Sequence, residues 1–126
     1  MDDATQKIPT SKSTILVVDD TEDIRDLITS VLQDTYTIRP ASDGRSALKL
    51  ALQNPSPNLI LLDVDMPGAS GYDVCRALKV TASTADIPVI FLTSKDEPAD
   101  VVRGFQLGAA DYIIKPLNPE IGRAHV

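Results

Sequence analysis

The sequence predicts an α/β fold, a parallel sheet with helices packed on both faces. Two observations carry this. Five short apolar runs alternate along the chain with segments whose apolar residues recur at helical spacing. The runs are also nearly continuous in Val, Ile and Leu instead of alternating with polar residues, which is the pattern of strands covered on both sides. Leu59-Ile60-Leu61-Leu62-Asp63 is the clearest of them: four large apolar residues ending in a carboxylate, between Pro57-Asn58 and Pro67-Gly68, and too short for an ordinary helix. Right-handed crossovers then restrict the topology to a few arrangements.

Taken in order, residues 1–12 are polar and aperiodic, with Pro9, Thr10 and Ser11, and read as a flexible tail. Ile15-Leu16-Val17-Val18 is a buried strand that ends in Asp19-Asp20. Ile24, Leu27, Ile28, Val31 and Leu32 form the apolar stripe of a first helix, with Thr21 as its cap and Glu22 and Asp23 in its first turn. Tyr36-Thr37-Ile38, shorter and more polar, is placed at the sheet edge. Ser42-Asp43-Gly44 opens a second helix whose apolar side is Ala47, Leu48, Ala51 and Leu52, and Asn54-Pro55-Ser56-Pro57 stops it. After the Asp63 strand, Ser70 and Asp73 make a capping-box pattern for a third helix carrying Val74, Cys75 and Leu78. Val89-Ile90-Phe91-Leu92 is a fourth strand ending in Thr93-Ser94. Pro98 sits in the first turn of a fourth helix, Gly104 inside it and Gly108 at its end. The internal glycine marks that helix as one of the less rigid elements. Tyr112-Ile113-Ile114 is a fifth strand and ends at Lys115-Pro116.

The 126 residues form one domain, with 43% apolar and 24% charged residues. A net charge of −6 argues against a nucleic-acid-binding surface. No apolar run approaches the roughly 20 residues of a membrane span. The acidic start Met1-Asp2-Asp3-Ala4 lacks the basic and apolar regions of a signal peptide. The single cysteine, Cys75, excludes an intrachain disulfide, fits a reducing compartment and reads as a small buried side chain. A cytoplasmic location is therefore expected.

Four of the five strands end in polar groups: Asp19 and Asp20, Asp63, Thr93, and Lys115. A parallel sheet gathers those ends on one edge, where such folds bind their ligands. Three carboxylates held together require a cation. Carboxylate oxygens with room for water suit Mg²⁺, and the sequence offers no Cys/His cluster for zinc. A carboxylate beside a hydroxyl, an ammonium and a metal is the equipment of phosphoryl transfer. Singly, the Asp pair and Thr93 read as helix caps and Lys115 as a surface lysine. Their arrival at four separate strand ends favours a common site.

The segments ILVVDD, LILLDVDMPGASGYDVC, IPVIFLTS and GAADYIIKP, in this order over about residues 14 to 119, resemble the receiver domain of bacterial two-component response regulators. The resemblance implies a flavodoxin-like, doubly wound five-stranded sheet of order 2-1-3-4-5. It implies that Asp63 is the phosphoacceptor, and that Asp19, Asp20, Asp63 and the backbone carbonyl of Asp65 hold Mg²⁺. It further implies that Thr93 contacts the phosphoryl group, that Lys115 neutralises it, and that Tyr112 is a switch residue moving with Thr93. A cis peptide before Pro116 would aim Lys115 at the site. The donor would be a sensor histidine kinase or phosphotransfer protein. The domain would be no enzyme beyond self-catalysed phosphotransfer and dephosphorylation, and the face of the fourth helix and fifth strand would carry the output, including a homodimer contact. Asp65 and Lys95 are expected to pair across the rim and to influence the lifetime of the phosphoryl group.

The resemblance breaks at the C-terminus. The receiver domain is placed at residues 13–120, with its fifth helix truncated. Residues 121–126, IGRAHV, look like the in-frame translation of a sequencing adapter and are suspected to be a non-native tail. A missing C-terminal output domain is expected. The GFQLGAADYIIKPLNPEI segment is most similar to receivers joined to cyclic-dinucleotide-metabolising domains. Loss of the fifth helix would leave apolar residues of the first helix and the sheet exposed. The strongest rival reading is a haloacid-dehalogenase-like phosphatase with Asp63-Val64-Asp65 as its DxD motif, but those enzymes place the nucleophile on the first strand and the second acidic pair after the lysine. A flavodoxin would need a Ser/Thr-rich phosphate loop after the first strand, where Asp19-Asp20 stands instead.

Overall fold

A computed structural model of the chain describes residues 12–117. Apart from Lys12, the expected tail lies outside the described residues, as do the end of the expected domain and residues 121–126. The elements are β1 (Thr14–Val18), α1 (Glu22–Leu32), β2 (Thr37–Ala41), α2 (Gly44–Ala51), β3 (Leu59–Asp63), α3 (Gly71–Lys79), β4 (Val89–Thr93), α4 (Pro98–Gln106) and β5 (Asp111–Ile114). All strand pairs are parallel and the sheet runs β2-β1-β3-β4-β5. The predicted flavodoxin-like order is the observed one.

Strand centrality follows apolar content. The central strands β1 and β3 are the most continuous runs, and Leu16, Val17, Val18, Ile60 and Leu62 are fully buried. Burying an aliphatic side chain of this size contributes about 1.5–3 kcal/mol. Strand β2 takes the edge, where Pro40 can stand because only one side of the strand is paired. One face of the sheet packs Leu16, Val18, Ile60, Leu62 and Phe91 against Ala47 and Ala51 of α2 and Val74, Cys75 and Leu78 of α3. The other packs Ile15, Val17, Leu61 and Leu92 against Ile28 of α1. Cys75 is the buried free thiol expected.

The face under α1 is incompletely covered by the described residues. An open apolar groove of about 310 Å³ runs between Leu27, Val31 and Leu32 on one side and Ile113 and Leu117 on the other. Val31, assigned to the apolar stripe of the helix, is accordingly 56% exposed.

Two local expectations are corrected. Thr21 occupies the position before α1 but its side chain makes no capping hydrogen bond; its N–H donates to Asp19 Oδ1 at 2.9 Å. Leu52 follows the last residue of α2 and points to solvent, 58% exposed, while Leu50 packs at the core margin. The other two caps form. Asp43 accepts from the Ser46 N–H at 2.8 Å, and Ser70 and Asp73 make a reciprocal capping box. Both use a short side-chain acceptor to satisfy amides that the first turn leaves unpaired.

Gly71 opens α3 directly against the end of β3. Its N–H donates to Val64 O at 3.0 Å. A Cβ there would overlap the carbonyl oxygen of Asp63 and lie 2.8 Å from Val64 Cα, and neither backbone atom can move aside without shifting the strand end. Gly71→Ala is therefore expected to cost about 3 kcal/mol in chemical denaturation, at the upper end of overpacking penalties. A loss under about 0.5 kcal/mol, the range of neutral surface changes, would show that the α3–β3 junction can relax.

Candidate functional site

The register builds the site. Val18 pairs with Leu62, so the following residues, Asp19 and Asp63, emerge side by side from adjacent strands. Thr93 pairs with Ile114, so Lys115 leaves β5 just beyond Thr93. Asp19, Asp63 and Thr93 are almost wholly buried, whereas Asp20 is exposed. The Lys115-Pro116 peptide is cis. Lys115 Nζ lies 2.8 Å from Asp19 Oδ2 and 3.2 Å from Asp63 Oδ1, one ammonium shared by two buried carboxylates.

The Asp63 carboxyl is raised to about 6. Burial is the main cause and the Asp19 charge adds to it; the Asp65 N–H, donating to Asp63 Oδ1 at 3.0 Å, and Lys115 oppose it. For Lys115, burial alone would lower the ammonium. The hydrogen bond to Asp19 and the charges of Asp63 and Asp19 outweigh it and hold the group above its ordinary value.

Asp19, Asp20 and Asp63 each offer a carboxylate oxygen, all within 4.8 Å of one another. Hard, anionic oxygens in such a cluster fit a divalent cation, and with one lysine for three carboxylates the local charge remains negative without it. The three expected carboxylates are thus brought together. The Asp65 side chain, expected at the rim and not among the ligands, turns away from them. Its Oδ2 accepts from Thr93 Oγ1 at 3.0 Å and from Ser94 Oγ at 3.4 Å, and its Oδ1 lies 3.6 Å from Lys95 Nζ. The Asp65–Lys95 pairing read from the sequence is present. Tyr112 packs edge-on against Phe91 (centroids 6.1 Å apart), and its hydroxyl donates to Lys95 O at 3.0 Å. Burial raises its phenol above the ordinary range.

Sequence reasoning missed two contributors. Arg25, in the first turns of α1, places Nη1 2.6 Å from Asp19 O and so braces the turn that presents Asp19. A cation one turn into a helix that follows an acidic pair was the available signal. Gly104 was read as a point of weakness in α4, yet it is buried where the Tyr112 ring packs. A Cβ would lie 2.9 Å from Tyr112 Cδ2 and 3.1 Å from Phe91 Cδ2. Periodicity carries no signal for such a close approach.

A family model described as "Response regulator receiver domain" matches residues 15–126. The chain belongs to the response regulator receiver family. It is 42% identical over 116 residues to a probable cyclic di-GMP phosphodiesterase of Vibrio cholerae, a match that covers 92% of this chain and 26% of that protein. The receiver also resembles two solved structures. The chemotaxis protein CheY4 of Vibrio cholerae has a TM-score of 0.81 and 31% identity, covering 91% of this chain and 96% of that one. The Mn²⁺-bound form of response regulator Rcp1 has a TM-score of 0.77 and 29% identity, covering 86% and 85%. The receiver spans 23% to 45% of the length of three curated relatives it matches. The phosphatase reading finds no support among these relatives, and the signalling family it was weighed against is the one the chain belongs to. Among the described residues no helix of the receiver is long and apolar enough to cross a membrane.

The Asp63 shift has a measurable sign. A carboxyl raised from 3.8 to about 6 holds its proton more tightly when folded, so its contribution favours folding at low pH and is lost as pH rises through about 6. In metal-free buffer, Asp63→Asn is expected to gain stability over the wild type as pH goes from about 4 to about 7, by on the order of 2–3 kcal/mol. Paired urea titrations across that range measure it. A difference that stays flat with pH would show that the Asp63 carboxyl titrates as an ordinary solvated one.

Proposed function

We propose that the receiver accepts a phosphoryl group on Asp63 from a phosphohistidine of a sensor histidine kinase or phosphotransfer protein, with Mg²⁺ as the resident cation. The observation that carries the reading is the state of the Asp63 carboxylate at the end of the central strand. Its Oδ1 is held by two donors, Asp65 N–H and Lys115 Nζ, while among the described residues Oδ2 accepts no hydrogen bond. One oxygen is anchored and the other is free to attack.

In the transfer, Asp63 Oδ2 forms a bond to phosphorus in line with the departing imidazole. The P–N bond breaks and its electron pair leaves with the histidine nitrogen. Asp19, Asp20, Asp63 and the backbone carbonyl of Asp65 would hold Mg²⁺, which when bound would supply positive charge facing the phosphoryl oxygens and favour the anionic form of Asp63. Lys115 stays protonated throughout, as its raised pKa favours, and faces the added charge. Thr93 turns its hydroxyl from Asp65 to a phosphoryl oxygen, and Tyr112, packed behind it, moves with it. Support for a metal comes from the acidic cluster and from the Mn²⁺-bound relative.

The output is assigned by the same reasoning to a domain beyond this chain. The similarity to a probable cyclic di-GMP phosphodiesterase supports an output acting on cyclic dinucleotides. The exposed Val102 and Phe105 of α4 and Ile114 of β5 support that face as the output and homodimer surface. A cytoplasmic location accords with the free thiol of Cys75. The chemistry at Asp63 is self-catalysed phosphotransfer and dephosphorylation, with no turnover of a separate substrate.

Intact mass after incubation with a small phosphoryl donor tests the assignment. The wild type is expected to gain one phosphoryl group when Mg²⁺ is present and none with a chelator. Asp63→Asn should gain none under either condition, and Lys115→Ala should slow the gain by at least about tenfold, the loss of one charge-assisted contact. A folded, Mg²⁺-binding wild type that stays unmodified, or an Asp63→Asn protein that gains the group, would overturn the reading.

A further inference from the structure

The Asp65 carboxylate lies outside the acidic cluster and has a different set of partners. Three consecutive residues, the last of β4 and the first two of the β4–α4 loop, converge on it: the Thr93 hydroxyl at 3.0 Å, the Ser94 hydroxyl at 3.4 Å and the Lys95 ammonium at 3.6 Å. Of these only Thr93 is buried. Its Oγ1 also accepts the Lys95 N–H at 3.0 Å. On the other side of the loop, the Tyr112 hydroxyl donates to the Lys95 carbonyl at 3.0 Å. Thr93 is thus one link of a continuous series running from Asp65 through Lys95 to Tyr112.

A hydroxyl has one proton to donate. While Thr93 gives it to Asp65, it cannot give it to an oxygen of a group on Asp63. We propose that the Asp65 carboxylate is a latch: it is the resting partner that Thr93 must leave, and the strength of this one contact sets how readily the domain switches. The proposal rests on the reading of Asp63 as the phosphoacceptor. Asp65 is a positioning residue here, acting on the site through Thr93. The exposed ion pair with Lys95 contributes little, since both side chains are solvated and screened. The Thr93 contact matters more because its acceptor is charged and its donor is buried.

The test reads the resting protein, before any transfer. Methyl resonances of Thr93 and ring resonances of Tyr112 in the wild type, free and saturated with Mg²⁺ and beryllium fluoride as a phosphoryl mimic, define two end points. Unliganded Asp65→Ala is expected to shift along the line toward the saturated end point. The shift should correspond to a rise in the switched population on the order of tenfold, the effect of losing one hydrogen bond to a charged acceptor. Asp65→Asn keeps an acceptor oxygen and should lie between Asp65→Ala and the wild type. Lys95→Ala leaves the Asp65–Thr93 contact in place and should stay at the resting end point. Resonances of Asp65→Ala that remain at the resting position would overturn the latch, as would Lys95→Ala moving as far as Asp65→Ala. A wild type unchanged by Mg²⁺ and beryllium fluoride would instead bring down the reading of Asp63, and the latch with it.

Discussion

One ammonium between two buried carboxylates holds the working edge of this sheet together. Burying a carboxylate costs several kcal/mol unless a partner compensates it. Asp19 and Asp63 both emerge buried from the two central strands, and Lys115 answers both. The strand order makes this necessary. With β1 beside β3, the two carboxylates are neighbours and repel. The compensating group comes from β5, beyond β4, and only a long side chain reaches. Thr93, on the intervening strand, is left beside that bridge with its hydroxyl free to choose a partner. The compensation is also incomplete: two negative charges share one positive, with Asp20 adjacent. Burial, with the Asp19 charge added, keeps the Asp63 carboxyl raised, and the uncompensated negative charge makes the edge receptive to a further cation.

Much of this was legible in the sequence because it depends on position along the chain. Apolar runs mark strands whatever they pack against, and the polar residue ending each run must lie on the shared edge of a parallel sheet. Asp19, Asp63, Thr93 and Lys115 could therefore be grouped before any coordinates were known, and Ser70 and Asp73 cap α3 because a capping box is local. What could not be read depends on which way a side chain turns or on what stands across from it. Thr21 has the right residue type for a cap, but its hydroxyl accepts from no amide of the first turn. Leu52 continues the apolar period of α2 one position past the helix end, where the period no longer describes a face. Gly71 and Gly104 are places where another element approaches too closely for a Cβ, and nothing in their local sequence says so. The Asp65 carboxylate was grouped with Lys95 correctly, but its turn toward Thr93 depends on the path of the β4–α4 loop.

Behind Thr93 the core is a row of rings. Tyr72 meets Phe91 edge-on at 5.3 Å between centroids, Phe91 meets Tyr112 likewise, and Arg103 of α4 lies over the Tyr72 face at 4.2 Å. Edge-to-face pairs have definite geometry and close-packed interiors do not deform continuously. Tyr112 is held by Phe91 and Gly104 on its ring and by Lys95 O on its hydroxyl. If it moves, it moves as a unit with the loop that Thr93 begins. This gives the α4 surface a packed, stepwise connection to the edge where the carboxylates sit.

The energetics of such a connection depend on exchange. A two-state element stays responsive only when its states differ by a few kcal/mol, since moving a population from 1:99 to 99:1 takes about 5.5 kcal/mol of differential interaction. Were the Thr93 hydroxyl unpartnered at rest, a charged acceptor on Asp63 would gain the full value of a charge-assisted hydrogen bond together with relief of a buried, unsatisfied donor. With Asp65 already serving as a charged acceptor, the same event swaps one such bond for another, and only their difference drives the change. The Asp65 contact therefore favours the unswitched state at rest and reduces the net drive that a group on Asp63 supplies. The effect is selective: it leaves the Lys115 bridge intact, because the Asp65 side chain touches neither Asp19 nor the Lys115 ammonium. The bridge holds the carboxylates in place in either state, while the exposed carboxylate at the rim adjusts the balance between them.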